Sequence, residues 1–312
     1  MGSFDDLFHY GNEQPVSRNS KSFDKEAWKK QKQEQREMVY SMIENTAEDV
    51  ARDGVKFQSY LDVQSRFDHY SVANTLLILS QKPDATRIAD FDTWKEQGAY
   101  IRKKETGFYI LEPGDEYRRD DGTVGISYNL KKMFDISQTG NSRKRETSTY
   151  PDDRTRIKAL MDHAPVPICI SDTLPEGTNA LYQPDTREIQ IRKGMDAGSI
   201  FRALSQELAH AEMDTGDGRY RRSDHTFHAY CVSYILCKQY GVDTSGYSFD
   251  RTPQVLEGMS AKEIRAELSA IRETAGDFWQ DETDDCAVSA AKTAGAGTLG
   301  GIAYERRKGA YP

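Results

Sequence analysis

The chain has 312 residues, 37% of them hydrophobic, and a formal charge of -8, which supplies a sizeable core and about two ordinary domains without disulfide staples. The acidic balance excludes a protein that coats nucleic acid by bulk attraction, so any such binding must use a local basic patch. The four cysteines, Cys169, Cys231, Cys237 and Cys286, form no CxxC pair, and no apolar run has the flanks of a signal peptide or the length of a membrane span; the expectation is a reduced, cytoplasmic protein with no membrane partner.

Residues 1–22 are polar with no apolar period and read as a disordered arm. From Phe23 the chain is rich in strong helix formers, with apolar residues thickening toward Met38, Tyr40, Met42 and Ile43. A second helix follows Gly54 with Phe57, Tyr60, Leu61 and Val63, and a third runs from Ser71 to Gln81 and is stopped by Pro83. Asp90 can cap FDTWKEQ and Gly98 can end it, after which AYIRKK, GFYILEP and VGISYNLKKMFDI read as strands, the last two joined at the DDGT turn. The first half, 23–138, is therefore helices followed by a small antiparallel sheet.

Residues 139–153 lose every apolar period and collect Ser, Thr, Gly and charge, the composition of an interdomain linker. A second domain, 154–280, follows: a helix in TRIKALMDHA, a strand in VPICI, two strands around a Pro-Asp turn in ALYQPDTREIQIRK, and a helix from Asp196 to Met213. Another helix starts near Ser223 or Asp224 and ends at Gly241, and the box SAKE, Ser260 to Glu263, opens a last one toward Trp279. Residues 281–312 are Ala/Gly-biased and read as a disordered tail. The fold class expected is α+β.

Within the Asp196–Met213 helix stands SQELAHAEMD, Ser205 to Asp214. In an HExxH zinc helix two histidines one turn apart bind the same ion while the glutamate handles a proton of the bound water. Here Glu207 and His210 keep that register, but Gln206 stands at the first ligand position, and a neutral amide oxygen is a far poorer zinc ligand than imidazole. Taken alone, the stretch reads first as an ordinary amphipathic helix that buries Ile200, Leu204, Leu208 and Ala211. The next helix offers His225 and His228, three residues apart and in line with Val232, Ile235 and Leu236. A metal set of His210, His228 and either His225 or Gln206, with Glu207 beside it as general base, is the functional alternative. In the first half, Arg66, Tyr70 and Asn74 fall at helical spacing, and Trp94 with Lys103 and Lys104 could supply an aromatic platform and phosphate contacts; by periodicity alone, Tyr70 and Trp94 read as core aromatics.

The run YSVANTLLILSQKPDATRIADFDTWKEQGAYIRKKETG resembles the N-terminal domain of the ArdC family of antirestriction proteins, and SQELAHAEMD followed by HAYCVSYILCKQYGVDTSGYSF resembles that family's metallopeptidase-like C-terminal domain. The likeness runs from about Phe23 to Trp279 and is nearest to the LtrC-like branch carried on conjugative and integrative elements. It implies a single-stranded DNA-binding domain joined to a zincin-like domain, in which a strand hairpin precedes the helices. Arg66, Tyr70, Ser71, Asn74, Trp94 and the Lys103 to Gly107 segment match its DNA-binding half. Glu207 matches the proton-handling glutamate and His210 the second motif histidine, while Gln206 and His228 depart from the family's ligands. The resemblance thus implies a DNA-binding antirestriction protein whose zincin domain is degenerate or rewired, with zinc retained or lost and with single-stranded DNA and host restriction or conjugation proteins as partners. A zinc metallopeptidase and a non-enzymatic interaction scaffold are the rival readings.

Overall fold

The computed structural model describes residues 25–119, 121–141 and 150–278. The arm at 1–22 and the tail at 281–312 lie outside these residues. Three helices come first. α1 (Lys25–Arg52) turns sharply at Asp53, whose carboxylate accepts from the Val55 and Lys56 amides and caps α2 (Gly54–Arg66). Gly54 is required there: a Cβ would stand 2.3 Å from the carbonyl oxygen of Phe249, so the α2 N-terminus lies directly against the backbone of the second half. α3 (Val72–Gln81) is capped by Ser71.

A short strand β1 (Ile88–Ala89) precedes α4 (Phe91–Glu96), which is capped by Asp90 and followed by Gly98 at φ 74°. β2 (Tyr100–Ile101) leads to the long hairpin of β3 (Phe108–Arg118) and β4 (Val124–Asp135), with Gly122 at φ 82° in its turn and a bulge between Pro113 and Glu116. β1 pairs with the end of β4, and a 3-10 turn at Ile136–Gln138 delivers β5 (Thr139–Gly140) back to β2. The segment expected to be a linker therefore begins with a strand of the first half.

After α5 (Asp153–Asp162) comes a sheet ordered β6 (Ile168–Ser171), β8 (Glu188–Arg192), β7 (Ala180–Gln183). β7 and β8 form the expected hairpin, and β6 adds to β8 in parallel. Next are α6 (Ala197–Met213) and α7 (Arg222–Tyr240), the latter ended by Gly241 in the left-handed conformation. A single turn, α8 (Thr252–Val255), has no strong sequence signal beyond Pro253, and α9 (Ala261–Asp277) opens with the reciprocal Ser260–Glu263 capping box. The class is α+β, as the sequence implied.

The largest buried cluster ignores the expected boundary, running from Ile43, Phe57, Leu61 and Leu77 in the first half to Leu208, Val232, Leu236 and Ile271 in the second. α7 is central, packed by α2, α6 and α9, so its residues are buried on nearly all sides. Two smaller clusters belong to the first half alone: one under the β3–β4 hairpin around Ile78 and Met133, and one of Trp94, Ala99 and Phe134.

Candidate functional site

Apolar residues Phe201, Leu204, Leu208 and Ala211 seat α6 against α7 and the second sheet. Small residues let the two helices approach: the hydroxyls of Ser205 and Ser233 lie 2.7 Å apart, and Ser233 also donates to the Arg202 carbonyl at 3.0 Å. That seating turns Glu207 and His210 into the interior, at 3% and 0% exposure.

Both oxygens of Glu207 are engaged. Its Oε2 accepts the Tyr182 amide of β7 at 2.7 Å and Nη1 of Arg222 at 2.6 Å, and its Oε1 accepts Nη2 of Arg222 at 2.6 Å. This is a two-pronged guanidinium–carboxylate pair, the strongest geometry available to these groups. His210 accepts or donates through Nδ1 to the Tyr220 hydroxyl at 2.8 Å, while its Nε2 is buried without a partner among the described residues. Burial, reinforced by the charges of Arg222, His225 and His228, pushes the His210 pKa down to about 3, so the ring is neutral. Tyr220, in the loop from α6 to α7, is edge-on to His210 of α6 and stacked on His225 of α7 at 5.4 Å with rings 3° from parallel.

His228 does not share this arrangement. Its Nδ1 lies 3.3 Å from a Glu267 carboxylate oxygen and its Nε2 3.1 Å from the Thr274 hydroxyl, both on α9. The expectation that His225 and His228 face one apolar side rested on α7 having one. Because α7 is enclosed by three helices, the 60° between the two positions sends His225 to the Tyr220 loop and His228 to α9. Gln206 is half-buried beside Glu207.

A catalytic zinc needs three protein ligands and an open position. Here His210 Nε2 is one donor of the right kind, but both Glu207 oxygens are held by Arg222 and both His228 nitrogens by α9, which leaves His225, stacked on Tyr220, as the one other imidazole of the set. Among the described residues no group of three or more His, Cys, Asp or Glu is placed to hold a metal ion. The residues present do not fit a catalytic zinc. The decisive residue, Arg222, was not among the sequence candidates; its only sequence signal is a basic side chain in the first turn of the helix after the motif.

The first-half candidates separate into two kinds. Asn74 is 7% exposed and holds both backbone groups of Leu111, donating to its carbonyl at 2.8 Å and accepting its amide at 2.7 Å. Trp94 is 1% exposed, donates Nε1–H to the Phe134 carbonyl at 2.9 Å, and is covered by the Arg87 guanidinium. Its expected role as a base platform is corrected here: an indole enclosed on both faces cannot stack a base while the subdomain stays closed. Ser71 is spent as the α3 cap, and Tyr70 stands half-buried, edge-on to Phe67 at 5.8 Å, with burial raising its hydroxyl pKa.

Arg66, Lys103 and Lys104 remain at the surface. Arg66 donates to the Pro83 carbonyl at 2.6 Å, and the two lysines form the turn after β2, Lys104 at φ 71°. The exposed aromatics nearby are Phe91 on α4, at 54%, and Tyr100 on β2, at 62%. Tyr100 pairs across the ladder with Gly140, and a Cβ on that glycine would fall 2.4 Å from the Tyr100 ring. The ring thus lies across bare backbone with its other face outward.

Comparison with known proteins matches residues 29–155 to the family model of the N-terminal domain of anti-restriction factor ArdC. An uncharacterized protein of Bacillus anthracis, pXO2-81, is 24% identical over 282 residues, covering 69% of this chain; the chain spans 45% of that protein's length. The Mn(II)-bound crystal structure of the antirestriction ArdC protein from the R388 plasmid is similar in fold, with a TM-score of 0.52 at 15% identity, covering 76% of this chain and 96% of that one. The metal-free structure of the same plasmid protein gives a TM-score of 0.47 at 16% identity, covering 67% of this chain and 84% of that one.

Proposed function

We propose that this protein, whose residues 29–155 match the family model of the N-terminal domain of anti-restriction factor ArdC, binds single-stranded DNA and serves an antirestriction role for a mobile element, with a degenerate zincin-like second half. The observation that carries the DNA-binding part is the Tyr100 ring, turned outward over Gly140 and followed at once by the exposed Lys103–Lys104 turn. An exposed ring beside cations is the combination that holds single strands with little sequence preference, since every base offers a π face and every nucleotide a phosphate. The basic turn supplies the local patch that the overall charge of -8 makes necessary. Host restriction or conjugation proteins are the natural protein partners of such a role. Among the described residues no helix is long and apolar enough to cross a membrane.

The rival reading is a metal-dependent peptidase with Glu207 as general base, favoured by the Mn(II)-bound state named for the R388 protein. Against it stands the Arg222 fork: a carboxylate with both oxygens turned to a guanidinium faces that cation instead of a metal-bound water. A purely protein-binding scaffold is the third reading, and it parts from the first in the same experiment.

Fluorescence anisotropy of the full chain with single-stranded and duplex oligonucleotides across a salt series tests the proposal. Preference for the single strand, with affinity falling as salt rises, is expected. Tyr100→Ala should weaken binding by about 1 to 3 kcal/mol, and Lys103→Ala with Lys104→Ala should flatten the salt dependence. Equal affinity for duplex, or no binding at low salt, overturns it.

A further inference from the structure

The charge beside Glu207 is supplied by the chain itself. In an HExxH site the positive charge next to the glutamate is a divalent ion held by two histidines of the same helix. Here the first histidine position is Gln206, and in the same neighbourhood a guanidinium from the first turn of α7 grips both oxygens of Glu207 at 2.6 Å. We propose that Arg222 stands in for the metal: its guanidinium is a built-in cation that neutralises Glu207, ties α6 and β7 to the start of α7, and makes the second half independent of metal. This rests on reading α6 as a zincin-type helix.

Three observations support it. Glu207 is 3% exposed and receives a β7 amide as well as the guanidinium, so its charge is part of the packed structure and needs a counter-charge in place. His228 has both nitrogens engaged by α9, and among the described residues no group of three or more His, Cys, Asp or Glu is placed to hold a metal ion, so the cation that faces Glu207 is Arg222. His210 alone keeps an unpartnered Nε2 beside this pair, the vestige of a ligand position. A divalent ion and a guanidinium repel each other and compete for the same carboxylate, so a neutral Gln206 at the first ligand position and a guanidinium on Glu207 are mutually consistent features.

The test is a set of thermal melts on the full chain, with and without EDTA, Zn²⁺ or Mn²⁺. The unaltered protein should melt at the same temperature in all of them. Arg222→Ala should melt lower by roughly 5 °C or more, because it leaves a buried carboxylate uncompensated. Millimolar Zn²⁺ or Mn²⁺ should restore part of that loss by returning a cation to Glu207 and His210, whereas the double variant Arg222→Ala with Glu207→Gln should recover without metal and ignore it. If Arg222→Ala does not fold, Arg222→Gln keeps a polar side chain of similar length without the charge and should give the same pattern at smaller amplitude. A melting point of the unaltered protein that falls in EDTA overturns the proposal, as does an Arg222 variant that melts normally. So does a variant rescued by Glu207→Gln but by neither ion, since Arg222 would then be an ordinary ion-pair partner. Single-stranded DNA binding should be unchanged in Arg222→Ala. Absence of such binding in the unaltered protein would remove the functional reading and leave this one standing.

Discussion

Asp90 shows how much one carboxylate contributes at the boundary of the small β2–β5 subdomain. It accepts the Thr93 amide at 2.7 Å as the α4 cap and lies 3.0 Å from the Lys131 ammonium of β4, which also reaches Glu112 at 2.7 Å. The Thr93 hydrogen bonds, with Lys131 adding to them, bring its pKa down from 3.8 to about 2. Because the folded value lies below the unfolded one, this stabilisation is fully present above pH 3.8 and is lost as pH falls through about 2. Asp90→Asn keeps a capping oxygen but loses the charge. It should cost about 1 kcal/mol at pH 7 in urea unfolding, and the difference from the unaltered protein should shrink at pH 3. A cost that is the same at both pH values would show that the Lys131 pairing and the charged cap contribute nothing.

At the scale of elements, α3 does something that its apolar period does not announce. β3 is an edge strand, and its Tyr109 and Leu111 backbone groups, two residues apart and therefore facing the same way, are taken by two amide side chains of α3. Asn74 binds the N–H and C=O of Leu111, and Gln81 binds those of Tyr109, accepting at 3.0 Å and donating at 2.9 Å. The helix thus closes the sheet edge as another strand would, which protects it from stray pairing. Asn74→Ala should cost roughly 2 to 3 kcal/mol by leaving both buried Leu111 groups unmet, and Asn74→Asp should cost nearly as much because it can accept but not donate. A loss below about 0.5 kcal/mol in urea unfolding would refute this. Helix starts and stops were legible wherever a side chain announces them locally: Asp90 and Gly98 around α4, Ser260 with Glu263 at α9, and Gly241 after α7. What periodicity could not carry was which side of a helix meets which neighbour. α7 has no polar side to fix its orientation, so the fates of His225 and His228 depended on α2, α6 and α9. Arg222 and Asn74 are likewise defined by partners distant in sequence, a β7-bound glutamate and a strand backbone. Trp94 was legible as a core ring by periodicity alone, and its reading as a base platform rested on the lysines that follow and on the resemblance.

For the whole molecule, the polar stretch after Gln138 suggested two independent units, and the packing joins them. α2 buries Phe57 against Phe227 and Phe249, with ring centroids 5.3 and 5.5 Å apart, and Gly54 touches the Phe249 backbone. Polar contacts follow the same seam. Tyr234 of α7 donates to Asp62 at 2.8 Å and accepts from Gln58 at 3.2 Å, Lys238 reaches Asp62 at 2.9 Å, and Arg272 of α9 donates to the Asp68 carbonyl at 3.3 Å. A fragment ending at Asn141 would keep the hairpin and the Trp94 cluster but would expose the faces of α1, α2 and α3 that α7 and α9 cover. Each large side chain such as Phe57, Tyr60 or Leu61 returned to water forfeits about 1.5 to 3 kcal/mol, and a few of these match the whole stability of an ordinary domain. Residues 23–141 expressed alone should therefore show a broad, low-temperature unfolding transition by circular dichroism and bind an apolar dye, while 23–278 melts cooperatively. A sharp, independent transition for the short fragment would mean that the first half folds without its partner. The proposed single-stranded DNA binding is therefore a property to measure on 23–278 rather than on the first half alone. The second half holds α2, and α3 in turn holds the edge of β3; β4 beside it runs on through Ile136–Gln138 into β5, the partner of the strand that carries the exposed ring.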